Sequence, residues 1–287
     1  MNLNTLSSYL PAELTEALFF LGTDDLCEIR IMEDKSCAVM KGNKLTDTGI
    51  YISKAQLKKI VETMCRGSVY AAQPTLVKGF ITLEGGHRVG VCAKAVCENG
   101  EVTHMTDISA LCIRISREII GAAKGIIPHI EELGRIRNTL IISPPGCGKT
   151  TVLRDIARTL GEKHKVCIAD ERMEIASGNV GKFTCVMSAV PKAQGISMLI
   201  RTMSPEVVIT DETGSVQEEQ AIYELINSGV KIITTAHGYS EHDILRRECL
   251  GKLIENGVFE KIIVLSSRKG PGTVEKIISG GRALKHA

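Results

Sequence analysis

Residues 143–151, SPPGCGKTT, combine glycines with a lysine and two threonines, the residue types of a phosphate-binding loop. The pattern G-x-x-x-x-G-K-[ST] is met at Gly148, Lys149 and Thr150, while Ser143 stands where the first glycine is expected. In such a loop, backbone N–H groups cradle phosphates, the lysine reaches the β- and γ-phosphates, and the next hydroxyl binds Mg²⁺. We therefore predict that Thr150 is a metal ligand and that the following residues bind ATP: Ser143, Pro144, Pro145, Gly146, Cys147, Gly148, Lys149, Thr150 and Thr151.

A second source of chemistry is the apolar segment EVVITDE, which ends in Asp211 and Glu212. Asp211 lies 62 positions after Lys149. We predict that Asp211 holds the Mg²⁺ shell and that Glu212 orients and deprotonates the attacking water, as in-line phosphoryl transfer requires. Taken alone, an acidic pair after a strand also fits the solvated start of a turn. Together with the phosphate loop it predicts hydrolysis, and Glu212 argues against a nucleotide-gated scaffold without turnover.

The elements around these residues alternate between strand and helix patterns after about Gly121. The order runs from the strand NTLIIS through the loop and a helix over residues 150–160 to the strand KVCIAD. Strand patterns follow at EVVITDE, KIITTAH and EKIIVLSS, separated by the helical patterns KAQGISMLIRTM, SVQEEQAIYELINSG and SEHDILRRECLGKLIENG. This alternation predicts an α/β domain with a parallel-rich sheet over residues 121–287.

The first part of the chain has a different pattern. Short alternating segments, LCEIRIM, ITLEGGHRVGVCAKAV and ALCIRIS, accompany an amphipathic N-terminal helix and the helical stretch KAQLKKIVETMCRG. We predict a smaller α+β domain over residues 1–120, with the boundary in the glycine-punctuated segment REIIGAAKGIIPHIEELG.

Composition gives no support to nucleic-acid binding, to a zinc site or to a membrane span. The net charge is +2 from 35 basic and 33 acidic residues, and aromatic residues make up 3% of the chain, so neither a basic face nor stacking platforms for nucleic acid are indicated. The ten cysteines include no CxxC pair, which favours reduced thiols, and Cys92, Cys97, His87 and His104 match no zinc spacing. No uncharged apolar run approaches the roughly 18 residues of a membrane span.

Several motifs resemble the stage III sporulation protein AA family of endospore-forming bacteria. They are TLIISPPGCGKTTVLRDIARTL, IADERMEIA, LIRTMSPEVVITDETG and TTAHG, together with VKGFITLEGGHRVGVCAKAV and ISALCIRISREI in the first domain. More broadly, the order of motifs resembles the ring-forming ATPases of type II and type IV secretion and of type IV pili. The resemblance implies a RecA-like fold, Mg²⁺-dependent ATP hydrolysis and a homo-oligomeric, hexameric ring whose N-terminal domains move with each nucleotide cycle.

The resemblance also implies roles for single residues. An acidic box follows the strand after the phosphate loop, where this chain has Asp170, Glu171 and Glu174 without the usual proline, and we choose Glu171 as an active-site acid. His237, in TTAHG, is implied as a sensor of the γ-phosphate, although a histidine satisfied at a strand end is the alternative. Arg201, in LIRTMSPE, is implied to lie near the nucleotide.

The setting follows from the resemblance alone: a mother-cell, cytoplasmic protein that docks on membrane proteins of a sporulation channel. Arg88, Arg114 and Arg117 are candidates for a trans-acting finger, but solvent exposure or packing is favoured, as is a structural role for His87. The alternative function is a RecA-like ATPase acting on nucleic acid, for which RRE at residues 246–248 and SSRKGPG at residues 266–272 are the local hints. Turnover measured with and without DNA discriminates between the two.

Overall fold

The structure is a computed structural model that describes residues 6–23, 25–42, 44–116 and 119–280. The chain divides into two compact units, Met1–Arg117 and Glu118–Ala287.

The described part of the first unit contains helices and a six-stranded sheet. Its helices are α1 (Ala12–Phe20), α2 (Lys54–Met64) and α3 (Gln73–Leu76). Its strands are β1 (Leu26–Met32), β2 (Ser36–Lys41), β3 (Lys44–Tyr51), β4 (Phe80–Thr82), β5 (Arg88–Glu98) and β6 (Glu101–Arg114). The strands are ordered β3-β2-β1-β6-β5-β4, and every neighbouring pair is antiparallel. This is the predicted α+β arrangement.

Local sequence explains how α2 forms. The Ser53 hydroxyl accepts the N–H of Gln56, and the Gln56 side chain accepts the N–H of Ser53, which closes a capping box at the first turn. Leu57, Ile60 and Met64 recur at helical spacing and are buried in the core of this unit.

The stretch ITLEGGHRVGVCAKAV is a hairpin of β4 and β5, rather than one alternating segment. Gly85 and Gly86 have φ values of 82° and 74°, which side chains with a Cβ rarely adopt, and they make the turn between the two strands. The strands β2 and β3 were not predicted, because Lys41, Lys44 and other polar residues mask their alternation.

The second unit contains the remaining elements. Its helices are α4 (Ile127–Ile130), α5 (Lys149–Leu160), α6 (Lys192–Met203), α7 (Val216–Asn227), α8 (Glu241–Leu245) and α9 (Glu248–Glu255). Its strands are β7 (Glu131–Glu132), β8 (Arg135–Ile136), β9 (Thr139–Ser143), β10 (Val166–Asp170), β11 (Thr184–Ser188), β12 (Val207–Thr210), β13 (Lys231–His237), β14 (Lys261–Ser266) and β15 (Thr273–Ser279).

Seven of these strands form one sheet in the order β11-β10-β12-β13-β9-β14-β15. All neighbouring pairs are parallel except β14 and β15, which form an antiparallel hairpin at one edge. Both faces are covered, as a parallel sheet requires. Leu140 and Ile142 pack with α6, α7 and α9, whereas Ile141 packs with α5 on the other face. The predicted class, a RecA-like α/β unit preceded by an α+β unit, is confirmed.

The helical pattern after β13 and two edge strands of the second unit differ from the sequence prediction. The pattern SEHDILRRECLGKLIENG forms two helices, because Arg247 is extended (φ −90°, ψ 126°) and interrupts the pattern. Gly251 allows α8 and α9 to approach, since a Cβ there would lie 2.5 Å from the Leu245 carbonyl oxygen. The strands β11 and β15 were also missed, because both are edge strands that leave side chains exposed.

Two general expectations can be compared with this fold. All ten cysteines lie within the described residues, and each is a free thiol. Within the described ranges, the structure contains no helix of the length and apolar character needed to cross a membrane.

Candidate nucleotide site

The predicted site residues meet at one edge of the seven-stranded sheet. The strand β13 lies between β12 and β9, and both neighbours run parallel to it. The carboxyl ends of the three strands therefore share one edge, where ligands of open α/β sheets bind. Ser143 ends β9, His237 ends β13, and Asp211 and Glu212 follow β12.

The phosphate loop runs from β9 into the first turn of α5. Gly146 and Gly148 have φ values of 75° and 81°, and Gly148 is the N-cap of α5. Both conformations suit glycine, and glycine turns of this kind before a helix are where backbone N–H groups bind phosphate in phosphate loops. The N-terminal N–H groups of a helix and its dipole favour an anion at this position.

The hairpin loop between β14 and β15 packs directly on the phosphate loop. The Gly272 N–H donates to the Cys147 carbonyl oxygen at 2.8 Å. A Cβ on Gly148 would lie 3.2 Å from Pro271 Cβ, so the close approach depends on glycine at position 148. The segment SSRKGPG, a local hint of nucleic-acid binding in the sequence, thus lies against the predicted phosphate loop of its own chain.

Lys149 is buried and points at the ends of β12 and β13. Its Nζ lies 2.5 Å from His237 Nδ1 and 3.8 Å from Glu212 Oε1. Burial lowers the pKa of Lys149, because the ammonium group loses water, and the nearby Glu212 carboxylate offsets part of this effect.

Glu212 completes a cluster with Lys149 and His237. Its Oε1 lies 2.5 Å from His237 Nε2, and its Oε2 lies 3.5 Å from Arg172 Nη1. Lys149 Nζ lies within hydrogen-bonding distance of both His237 ring nitrogens, at 2.5 Å from Nδ1 and 3.2 Å from Nε2. The structure therefore brings together three of the predicted catalytic residues and adds Arg172, which the acidic-box segment ADERMEIA contains.

Asp211 lies beside this cluster and is buried. Burial raises the pKa of Asp211, since the carboxylate loses water, and the neighbouring Lys192 offsets part of this effect. Within the described part of the chain, its Oδ1 has no hydrogen-bond partner. A buried carboxylate oxygen with spare acceptor capacity fits a magnesium-bound water or the ion itself. Thr150, the other predicted ligand, lies partly buried in the first turn of α5.

The acidic-box residues Asp170 and Glu171 lie outside the cluster of Lys149, Glu212 and His237. Asp170 is fully buried, and its two carboxylate oxygens accept the backbone N–H groups of residues 174–176 at 2.9–3.0 Å. Glu171 is exposed, and its Oε2 accepts the backbone N–H of Lys192 at 3.3 Å. Asp170 thus shapes the turn after β10, and no contact joins Glu171 to Lys149 or Glu212 among the described residues. The catalytic role of Glu171 stays a prediction.

Arg201 lies far from the cluster within its own chain. It is exposed in the last turn of α6, nine residues after Lys192, which corresponds to roughly 14 Å along a helix. Its predicted place near a nucleotide stays a prediction.

Two residues of the first unit for which packing or a structural role is favoured, His87 and Arg88, have local contacts. His87 is buried, and its Nδ1 accepts the Ser116 N–H at 3.1 Å. The Arg88 guanidinium lies 4.1 Å from the centre of the Phe80 ring. Arg114 is exposed at the end of β6, and Arg117 lies outside the described residues.

Sequence reasoning missed Lys192, whose ammonium reaches the acidic segment after β12. Its Nζ lies 3.1 Å from the Asp211 carbonyl oxygen and 3.1 Å from Glu218 Oε1. The only available signal was a lysine at the start of a helix whose buried stripe includes Ile196 and Leu199, and that signal is weak.

The strand order and the phosphate loop define a RecA-like fold, which the solved structures of an ATPase and of a pilus motor share. The chain resembles the Legionella pneumophila ATPase DotB with a TM-score of 0.60 at 18% identity, over 88% of this chain and 75% of DotB. It resembles the pilus retraction motor PilT with bound ADP with a TM-score of 0.63 at 13% identity, over 88% of this chain and 76% of PilT. Identities this low establish the fold alone.

Sequence comparison defines the family more closely. The profile of the family described as "Sporulation stage III, protein AA" matches residues 11–283. The chain is 37% identical to the stage III sporulation protein AA of Bacillus subtilis (strain 168), over 96% of this chain and 94% of that protein. The chain belongs to the sporulation stage III protein AA family.

Proposed function

We propose that this chain is a Mg²⁺-dependent ATPase that cleaves ATP to ADP and phosphate. The observation that carries the proposal is the convergence of Lys149, Glu212 and His237 beside a glycine-shaped loop at a helix N-terminus. A lysine, a carboxylate and a histidine meet here from three separate segments. A buried ion cluster contributes little net stability, so folding alone does not explain why they meet. A bound γ-phosphate explains why they meet, since Lys149 would bind it, His237 would sense it and Glu212 would activate the water that attacks it.

Phosphate binding uses the loop and Lys149. Backbone N–H groups at the start of α5 bind the phosphate oxygens, and the Lys149 ammonium lies between the loop and Glu212. Its lowered pKa reflects lost water, and phosphate oxygens replace that water with charge-assisted hydrogen bonds.

Hydrolysis uses Glu212 as the base. Its carboxylate takes a proton from a water molecule as the water oxygen attacks the γ-phosphorus and the bond to the bridging oxygen of the β-phosphate breaks. His237 contacts both Lys149 and Glu212. It can therefore sense the γ-phosphate and couple its presence to the positions of these two side chains. Thr150 and Asp211 would hold Mg²⁺, which supplies neutralisation of the phosphate charge.

We further propose that the protein assembles as a hexameric ring in the mother-cell cytoplasm and drives a sporulation channel through membrane-protein partners. Two considerations support this assembly. The chain belongs to a sporulation family, and its fold is similar to that of a pilus retraction motor. Arg201, which lies far from the cluster in its own chain, is then available to the nucleotide of a neighbouring subunit.

A phosphate-release assay tests the catalytic proposal. Purified protein should hydrolyse ATP with Mg²⁺ and stop when EDTA is added, and DNA should leave the rate unchanged. Stimulation by DNA of roughly tenfold or more would favour the nucleic-acid ATPase instead. Failure to bind fluorescent ADP or ATP at millimolar concentration would contradict the nucleotide site itself.

Ser143→Gly is expected to change nucleotide affinity by less than about twofold, because the lost hydroxyl is bonded to the Pro144 carbonyl oxygen and the backbone N–H groups of the loop are unchanged. The Ser143 side chain is fully buried, and its hydroxyl donates to the adjacent Pro144 carbonyl oxygen rather than into the loop. Stability should fall by roughly 0.5–1 kcal/mol, since glycine is unfavourable in a strand. Nucleotide titration and urea unfolding measure the two effects.

Ser188→Gly is the matched control for Ser143→Gly, because Ser188 also ends a strand of this sheet but is exposed on β11. A rise in affinity of tenfold or more in Ser143→Gly alone would show that the missing first glycine weakens the site.

A further inference from the structure

Lys192 is a buried lysine that no motif explains. It is the first residue of α6, and its side chain is 9% exposed. Its Nζ donates to the carbonyl oxygens of Asp211, at 3.1 Å, and of Glu212. It also lies 3.7 Å from Asp211 Oδ1 and 3.1 Å from Glu218 Oε1.

Three acceptors and a second carboxylate explain how the ammonium group tolerates burial. Its three donors meet two carbonyl oxygens and Glu218 Oε1, and the Asp211 carboxylate, an ion-pair partner at 3.7 Å without a hydrogen bond, adds to the charge balance. Burial by itself would raise the pKa of Glu218, but the N–H groups of Ser215 and Gly214 and the Lys192 ammonium hold it below its ordinary value. Glu218 is therefore an ionised partner for Lys192 at neutral pH.

The backbone of Glu212 shows what this ammonium group does. Glu212 has a φ of 23°, a conformation that costs a residue with a side chain of order 1–3 kcal/mol unless its surroundings impose it. Its N–H donates to Thr235 Oγ1 at 3.0 Å on β13, and its carbonyl oxygen accepts from Lys192. Both sides of the residue are thus held, and its carboxylate extends toward His237 and Lys149.

Packing alone would not select a lysine at this position. The same face of α6 buries Ile196 and Leu199, and an apolar side chain could continue that face without the cost of removing a charge from water. The backbone N–H of Lys192 is bonded to Glu171 as well, so the residue links the acidic-box segment, α6 and the residue after β12.

We propose that Lys192 is a positioning residue for hydrolysis, which fixes the main chain of Glu212 so that its carboxylate faces the attacking water. The proposal rests on the ATPase function proposed above. Lys192 acts through Glu212 and has no role in binding the phosphates, which Lys149 and the loop provide.

The test compares Lys192→Met with Lys261→Met. Lys261 is an equally buried lysine, 10% exposed and ion-paired with Glu132 at 2.6 Å, but it begins β14 at the opposite edge of the same sheet. Methionine keeps most of the apolar stem at either position. Both variants remove the charge of a buried lysine together with its ion pair, so both should unfold at a lower temperature.

Lys192→Met should lower kcat by roughly 10–100-fold, the loss expected when a reacting group is misplaced by about 1 Å. Its affinity for ADP should stay within about threefold of wild type, whereas binding of ADP with aluminium fluoride, which mimics the transferring phosphoryl group, should weaken along with kcat. Lys261→Met should keep both kcat and aluminium fluoride binding. A primary alkylammonium ion added to Lys192→Ala should restore part of the lost rate, a response that a purely structural lysine does not give.

Three results would overturn the inference. They are equal kcat in the two methionine variants, parallel loss of ADP affinity and kcat in Lys192→Met, and turnover in Lys192→Ala that ethylammonium leaves unchanged. If a methionine variant does not fold, Glu218→Gln, which removes one partner of Lys192, should still lower kcat more than it changes ADP affinity. Wild-type protein that binds no nucleotide would instead contradict the proposed function.

Discussion

Glu212→Gln is expected to bind ATP and to hydrolyse it roughly 10²–10⁴-fold more slowly than the wild type, which is the usual contribution of a general base. Glutamine keeps the shape of the side chain and can still pair with His237, which lies 2.5 Å from the carboxylate. It cannot accept the proton of the attacking water. Single-turnover phosphate release, with ATP binding measured separately, gives the two quantities.

The control for this variant is Glu255→Gln, because Glu255 is an exposed glutamate at the end of α9. It should hydrolyse ATP at the wild-type rate. Equal turnover in Glu212→Gln and Glu255→Gln would remove Glu212 from the catalytic role and leave Glu171 as the remaining acidic candidate.

The same variant tests assembly. If contacts to the γ-phosphate draw neighbouring subunits together, a chain that binds ATP without cleaving it stays in the assembled state for longer. Sedimentation of Glu212→Gln should then show a larger species with Mg²⁺ and ATP than with ADP. A single size with both nucleotides would separate hydrolysis from assembly, and a monomer in every condition would contradict the ring.

Lys149→Ala is expected to weaken ATP binding by about 100-fold or more, because the β- and γ-phosphates lose a desolvated cation whose charge-assisted hydrogen bonds contribute about 1.5–3 kcal/mol each. The apo protein should tolerate the change. Glu212 keeps His237 and Arg172 as partners, and the pKa of Lys149, lowered by burial, shows that its charged form gains little from the folded state.

Thermal unfolding with and without ATP measures this effect, since a ligand stabilises the native state by RT ln(1 + [L]/Kd). Millimolar Mg²⁺–ATP should raise the Tm of the wild type and leave that of Lys149→Ala unchanged. Lys124→Ala is the control, because Lys124 is an exposed lysine of the same unit. An equal Tm shift in Lys149→Ala and wild type would contradict the assigned phosphate loop.

The sequence determined those features that depend on neighbours along the chain. The phosphate loop can be predicted from the sequence, because two glycines that suit positive φ values, Gly146 and Gly148, stand beside a lysine and follow a continuous apolar strand. The helices α5, α6 and α7 are readable because their apolar residues repeat at helical spacing. The edge strands β11 and β15 could not be predicted from the sequence, since their half-exposed residues show no apolar–polar alternation.

The tertiary structure decided which of these features share a site. Lys149 and His237 are 88 residues apart, and they meet because β13 inserts between β12 and β9, an order that no local pattern encodes. Arg201 lies at the other end of α6 from Lys192, which separates it from the cluster, although the resemblance alone suggests proximity. The positioning role proposed for Lys192 depends on long-range hydrogen bonds from its ammonium group to the backbone after β12, which no local pattern encodes. Residue types fix which chemistry is available, but parallel strand pairing, a non-local interaction, fixes which residues perform it together.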